Sequence, residues 1–149
     1  MRVVVQRSLD AKVEVEKKVI GKIEKGLVLL VGFTYGDKEE IIDFMIKKIL
    51  NLRIFDDENH VMNKSILDTK GQILSISQFT LYADTKKGNR PSYLKALPPK
   101  EASKLYDLFN KKLSKQIHVE TGEFGADMKV TFTNDGPTTI LLEKERDAS

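Results

Sequence analysis

The sequence predicts an α+β domain: antiparallel, barrel-like sheets with two main helices packed on them. Three observations support that class. Apolar and polar residues alternate with the period of two of half-buried strands at both ends of the chain. Two segments, about 38–51 and the stretch from Pro99 to Leu113, repeat apolar residues at helical spacing. Strands and helices alternate too sparsely for a doubly wound parallel fold. The 149 residues suit one domain with its own core, spanning 1–149.

In chain order, Val3, Val5 and Arg7 alternate with Val4 and Gln6, and Val13 and Val15 with Lys12, Glu14 and Glu16. Lys17-Lys18 reads as a hairpin turn, without the usual Asn-Gly chemistry, and Val19 to Glu24 as the returning strand. Lys25-Gly26 is expected to turn the chain into Leu27–Phe33, an apolar run suited to a central strand buried on both faces. Asp37 reads as a helix N-cap with Glu40 as capping-box partner, and Ile41, Phe44, Met45 and Ile49 form the apolar stripe that follows. Leu52–Phe55 reads as a short strand, Asp56–Asn59 as a turn, and Gln72–Thr80 as a strand opened by Gly71. Tyr82 to Pro99 is the longest irregular stretch, rich in Pro and basic residues, and reads as a surface loop. Pro99 suits a helix start, ahead of Ala102, Leu105, Tyr106, Phe109 and Leu113. Val119–Thr121, Met128–Thr133 and Thr138–Leu142 complete the strands, and the charged residues Glu143 to Ser149 are expected to fray.

Composition excludes several classes. Without cysteine there is neither a disulfide nor a zinc-thiolate site. The apolar run near Leu27 is too short to span a bilayer, and the polar residues after Arg7 do not suit a signal peptide, so a soluble, cytoplasmic protein without a membrane partner is expected. The formal charge of +3 is a weak pointer to an anionic partner such as RNA. His60 and His118 have no ligand-spaced partners, Asp56-Asp57-Glu58 lacks the offsets of a calcium loop, and no phosphate-binding glycine motif occurs. No metal site or cofactor is expected.

Two segments carry the chemistry that is present. Ser77, Gln78 and Thr80 place hydroxyls and an amide where an apolar strand surfaces, beside Phe79. Such groups either bond neighbouring backbone or, with nearby N–H groups, polarise an ester carbonyl. Neither hydroxyl has an evident base, so neither is an activated nucleophile on sequence grounds. Gly136-Pro137 suits a tight turn, and equally a close approach of backbone to ligand. The basic loop Lys86 to Tyr93 is either solvated or in contact with phosphates. An RNA-binding module and an ordinary serine or threonine esterase remain open on these residues.

The motif Ser77-Gln78-Phe79-Thr80-Leu81-Tyr82-Ala83-Asp84-Thr85, with Asn134-Asp135-Gly136-Pro137-Thr138-Thr139, closely resembles the two signature motifs of the D-aminoacyl-tRNA deacylase family. The likeness extends along the chain, through Met1–Arg7, Leu30–Gly32, Asn51–Phe55, Met62-Asn63, Lys87-Gly88, Arg90–Ser92, Glu120–Gly122 and Phe124–Met128. The resemblance implies an antiparallel barrel-like fold and a homodimer with active sites at the subunit interface. It implies hydrolysis of the ester joining a D-amino acid to the 3′-terminal ribose of tRNA, and of glycine mischarged on tRNA(Ala). It also implies that Ser77, Gln78, Phe79 and Thr80 are catalytic, and that a cis Gly136–Pro137 step enters the partner's pocket and rejects L-amino acids. Arg7 would hold the Gly-Pro loop and Met128 would line the pocket. Thr80 as nucleophile and a water assisted by the ribose 2′-OH are the two mechanisms this leaves, and the second is preferred because Thr80 lacks a base. The sequence departs from the family at Asn89, where many members carry a basic residue, and at Thr138, in place of a small aliphatic residue.

Overall fold

In the computed structural model, residues 1–146 are described, and the expected fraying of Asp147–Ser149 lies outside them. Two long strands dominate, β1 (Arg2–Val15) and β2 (Lys18–Gly32). Helix α1 (Glu39–Asn51), the small hairpin β3 (Phe55–Asp56) and β4 (Met62–Lys64), and the short helix α2 (Ile66–Thr69) follow. Strand β5 (Gln72–Ser77) runs into a 3-10 turn over Phe79–Tyr82. After the loop come helix α3 (Pro99–Ser114), β6 (Val119–Thr121) and the long β7 (Lys129–Glu143).

The α+β class holds, but the sheet is neither antiparallel throughout nor a closed barrel. Its order is β6-β5-β2-β1-β7, with β6 and β7 as edges. The β1 pairings with β2 and β7 are antiparallel, while β2–β5 and β5–β6 are parallel. The reason is connectivity. The chain leaves β2 and returns to β5 after α1, then leaves β5 and returns to β6 after α3, and such crossovers produce parallel neighbours.

The long strands serve two cores because they change face. Val3 and Val5 point to the helical side, while Ala11 and Val13 join a second cluster with Ile23, Val28, Leu74 and Ile76. Asp10, at φ 50, lies where β1 carries one residue more than β7, between the pairs Leu9↔Thr133 and Lys12↔Thr131. One irregular residue shifts the parity of a strand, and with it every later side chain. On the helical side, Ile42, Met45 and Ile49 of α1 and Phe109 and Leu113 of α3 are fully buried against Val5, Leu27 and Leu29. Each such side chain contributes about 1.5–3 kcal/mol of burial.

Several local expectations are corrected. Lys25-Gly26 does not turn the chain, since β2 is continuous through both. Gly26 instead lets β5 approach: a Cβ there would lie 1.8 Å from the Gln72 carbonyl oxygen, at φ +152. The hairpin turns one residue earlier than expected, at Glu16-Lys17, whose φ values of 50 and 66 supply the left-handed pair a two-residue turn needs. Asp37 is not the N-cap. Lys38 is, without a side-chain bond, because the Asp37 carboxylate accepts from the Thr34 amide at 2.8 Å and the Met1 amine at 2.9 Å. Of Leu52–Phe55 only Phe55 is in a strand. A third helix, α2, starts at a capping box in which Ser65 and Asp68 exchange side-chain and backbone bonds. Strand β5 stops at Ser77 rather than Thr80. At the other end, the Lys144 amide donates to the Met1 carbonyl at 3.0 Å, so the chain stays in place past Glu143.

Gly26→Ala should therefore destabilise the protein by about 3 kcal/mol or more, from overpacking and an unfavourable φ together. Denaturant unfolding reads this directly. A loss under about 1 kcal/mol would mean that β5 can move away from β2 at little cost.

Candidate active site

Strand β5 delivers its C-terminal end to a cavity of about 610 Å³. Ser77, Gln78 and Phe79 line it, with Tyr93 at its rim and Phe124 and Met128 among its apolar walls. The Gln78 amide donates to the Val31 carbonyl at 2.7 Å, which ties the strand end to β2. The chain then tightens into the 3-10 turn. The N–H groups of Phe79 and Thr80 precede the first donor of that turn, the Leu81 amide that bonds to the Gln78 carbonyl, and are not spent within it. The Thr80 hydroxyl does not line the cavity, and it accepts a hydrogen bond from Gln78 Nε2. The Phe79 and Tyr93 rings meet edge to face, 5.1 Å apart, with both residues exposed.

Among the described lining residues none is Asp, Glu, His, Lys or Arg. The cavity can therefore position a substrate and meet developing negative charge with backbone donors, but offers no side-chain base of ordinary strength.

Four contacts hold this half of the site that sequence patterns did not single out. Arg2 donates from Nη1 to the Leu81 carbonyl at 2.7 Å, pairs with Glu143 at 2.7 Å, and lies 4.5 Å from the Tyr82 ring centre, which clamps the 3-10 turn. Gly32 makes room for the same turn, since a Cβ there would lie 2.9 Å from the Gln78 carbonyl oxygen. Tyr106 donates to the Ser75 carbonyl at 2.7 Å, and burial pushes its phenol above the ordinary range, so it remains a donor. Gly122, whose amide also donates to the Ser75 carbonyl at 3.2 Å, leaves space for the Met128 sulfur, 2.5 Å from where a Cβ would stand. In the sequence Arg2, Gly32 and Gly122 stood only within the family-like blocks and Tyr106 only within a helical stripe, with no sign of these contacts.

Arg7, Gly136 and Pro137 do not line this cavity and form a second locus. Between Asn134, opposite Ser8, and Thr139, opposite Gln6, β7 carries four residues that face only Arg7. They loop outward, with Gly136 and Pro137 exposed and the bond between them cis. Arg7 is only 8% exposed. Its guanidinium donates to the Asp135 carbonyl at 3.0 Å and the Ile54 carbonyl at 2.9 Å, with the Asp56 and Asp135 carboxylates each 3.4 Å away. Asn134 spans the base of the loop, accepting from the Thr138 amide at 3.0 Å and donating to the Thr139 hydroxyl at 3.0 Å. A Cβ on Gly136 would lie 2.5 Å from the Thr138 hydroxyl and 3.2 Å from the Arg7 guanidinium, at φ +129. The Thr138 hydroxyl, which stands where relatives were expected to carry an aliphatic group, is buried without a partner.

An uncharged cavity set against clamped backbone can hold and orient a neutral group rather than attack it with a charged side chain. A family model described as D-Tyr-tRNA(Tyr) deacylase matches residues 4–143. The D-aminoacyl-tRNA deacylase of Bacillus cytotoxicus is 55% identical over 146 residues, covering 97% of this chain and 100% of the relative. That of Bacillus thuringiensis is 53% identical over the same coverage. Among solved structures, one named c-Myc DNA Unwinding Element Binding Protein superposes with a TM-score of 0.93 at 39% identity, covering 98% of this chain and 100% of that one. A probable eukaryotic D-amino acid tRNA deacylase shares the fold at a TM-score of 0.83 and 17% identity, covering 95% of this chain and 97% of its own. The chain belongs to the D-Tyr-tRNA(Tyr) deacylase family, and it is a hydrolase acting on ester bonds.

Arg7→Met keeps most of the side chain's bulk and removes its donors. It should cost about 1–3 kcal/mol by leaving the Ile54 and Asp135 carbonyls unpaired. Amide exchange should speed up at Asp135, Gly136 and Thr138 before the rest of β7. Uniform exchange along β7 would show that Asn134 alone holds the loop.

Proposed function

We propose that this protein hydrolyses the ester linking a D-amino acid to the 3′-terminal ribose of tRNA, and also clears glycine mischarged on tRNA(Ala), as translation quality control in the cytoplasm. The observation that carries this reading is the exposed Gly136–Pro137 apex, braced by Arg7 and with no room for a side chain on Gly136. Neither Gly136 nor Pro137 lines the cavity of its own subunit. In a homodimer related by a two-fold axis, the apex of each subunit enters the other's cavity. There its backbone faces the substrate's α-carbon. The side chain of an L-amino acid collides with that backbone, whereas a D-amino acid or glycine leaves it clear. Specificity then comes from excluding the wrong substrate rather than from gripping the right one.

In this reading the amino group and terminal adenosine lie against Ser77, Gln78 and Phe79, and Met128 lines the pocket. The Phe79 N–H receives the developing oxyanion. Thr80 fixes Gln78 through their hydrogen bond rather than attacking the ester. The attacking water is assisted by the substrate's own ribose 2′-OH, which fits a cavity lined without a carboxylate or histidine. The reading calls for neither metal nor cofactor.

The decisive assay compares matched D- and L-aminoacyl-tRNA. The D-ester should be cleaved and the L-ester spared, and cleavage of both would remove the chiral filter from the account. Gly136→Ala should keep the dimer folded and reduce D-ester turnover about 100-fold, the scale of a displaced site. Undiminished turnover would place the filter elsewhere. Thr80→Ala should stay within about ten-fold of the parent, while loss of a true nucleophile costs on the order of a million-fold.

A further inference from the structure

We propose that the loop from Thr85 to Tyr93 is the surface on which the phosphate backbone of the tRNA acceptor strand lands, with Lys86, Lys87 and Arg90 as its phosphate contacts. The inference rests on the tRNA substrate proposed above. It starts from a mismatch of charge. The described lining of the cavity contains no lysine or arginine, so that lining can grip only the uncharged end of a polyanion. Most of the affinity of proteins for nucleic acid comes from cations on phosphates, and those cations must lie outside the cavity.

The loop supplies them in the right place. Lys86, Lys87 and Arg90 are exposed, and none takes part in an ion pair among the described residues. The adjacent acid, Asp84, is already engaged. One oxygen accepts the Lys86 amide at 3.0 Å, a bond that holds the carboxyl below its ordinary range, and the other lies 3.7 Å from Lys95. Asp84 and Ser92 exchange two backbone bonds of 2.7 and 2.8 Å, which close the loop at its base. Its ends are therefore fixed before a ligand arrives, which lowers the ordering cost of binding. At the apex, Gly88 has φ +68, and nothing lies within 4 Å of where its Cβ would stand, so the surface is open to an approaching strand.

Tyr93, one residue beyond the loop's closing bridge, lines the cavity and packs against Phe79. A strand whose last nucleotide occupies the cavity leaves past these rings, and the chain segment joined to Tyr93 carries the three free cations. Chemistry and charge recognition thus fall on adjoining but separate surfaces.

The test uses the triple variant Lys86→Ala, Lys87→Ala, Arg90→Ala in the full protein, after thermal unfolding shows it folded. Binding of uncharged tRNA is measured by fluorescence anisotropy across a salt series, alongside hydrolysis of D-aminoacyl-tRNA and of D-aminoacyl-adenosine, which has no phosphate. The slope of log K against log salt should fall by about 2, at roughly 0.7 per lost contact to a single strand. KM for the tRNA ester should rise about ten-fold or more while the adenosine ester is turned over as before. An unchanged slope and KM would overturn the proposal and leave the loop a solvated surface. An equal loss on both esters would also overturn it, by making the loop part of the cavity's construction. Because tRNA binding is read without turnover, failure of the parent protein to cleave either ester would count against the hydrolytic reading while the salt slope still decides the loop.

Discussion

The guanidinium of Arg7 is the contact on which the exposed half of the site depends. Its backbone lies in the interior strand β1, opposite Leu27 of β2, so the position of its Cα is set by the sheet. Its donors then reach two other segments, the Ile54 carbonyl beside the small hairpin and the Asp135 carbonyl in the outlooped part of β7. Burying a cation is expensive unless its hydrogens are satisfied, and two carbonyls with two nearby carboxylates satisfy this one. Lysine carries its three donors on one compact nitrogen and lacks the planar fork that reaches these two separated carbonyls. The loop that carries Gly136 is thus referenced to the middle of the sheet, although it hangs from the sheet's edge.

The cavity half is fixed by different means. Close packing at Gly26 sets β5 beside β2, Gly32 seats the 3-10 turn, and Arg2 clamps that turn from the outside. All three act on backbone position. This suits a site whose useful donors are main-chain N–H groups, because preorganised dipoles do their work without reorganising. It also explains why so few ionisable groups are needed. In the proposed mechanism, an ester carbonyl held against fixed donors, with a hydroxyl of its own substrate nearby, requires placement more than activation.

What could be read in the sequence followed from local periodicity and short motifs. Helix α3 with Pro99 at its start, the apolar stripe of α1 apart from Phe44, which is exposed, and the strand-end cluster at Ser77 to Phe79 were all legible. The parallel pairing of β2 with β5 was not, because periodicity records which face is buried and not which neighbour is bonded. Asp37 carried a good capping pattern but was claimed by partners more than thirty residues away in one case, the Met1 amine. Helix α2 had a readable capping box at Ser65 and Asp68, yet its four residues are too few to show a stripe. Arg2 and Tyr106 act through contacts 79 and 31 residues away, which no local pattern reports. The Gly-Pro motif was legible as a motif, while the space around Gly136 depended on Arg7 and Thr138 as they sit in the fold.

The proposed use of backbone to judge chirality has a physical logic. A side chain that must discriminate two mirror-related substituents can rotate or be displaced, and one methylene of mismatch in an apolar pocket is worth only about 1–3 kcal/mol. A peptide unit fixed at both ends cannot step aside in that way. The arrangement around Gly136 supplies such a unit, with Arg7 on one flank and the Asn134–Thr138 bond closing the other. The requirement for glycine follows, because any Cβ would strike the apex's own support before a substrate reached it. A filter of this kind needs no attraction to the amino acid side chain, and so it leaves affinity to be supplied elsewhere. In the proposed arrangement that task falls to the ribose and adenine ends in the cavity and to the cations of the Lys86–Arg90 loop, features shared by every tRNA. Discrimination by exclusion and binding by common features are complementary, and together they suit the proposed function of cleaving D-esters while sparing their L counterparts.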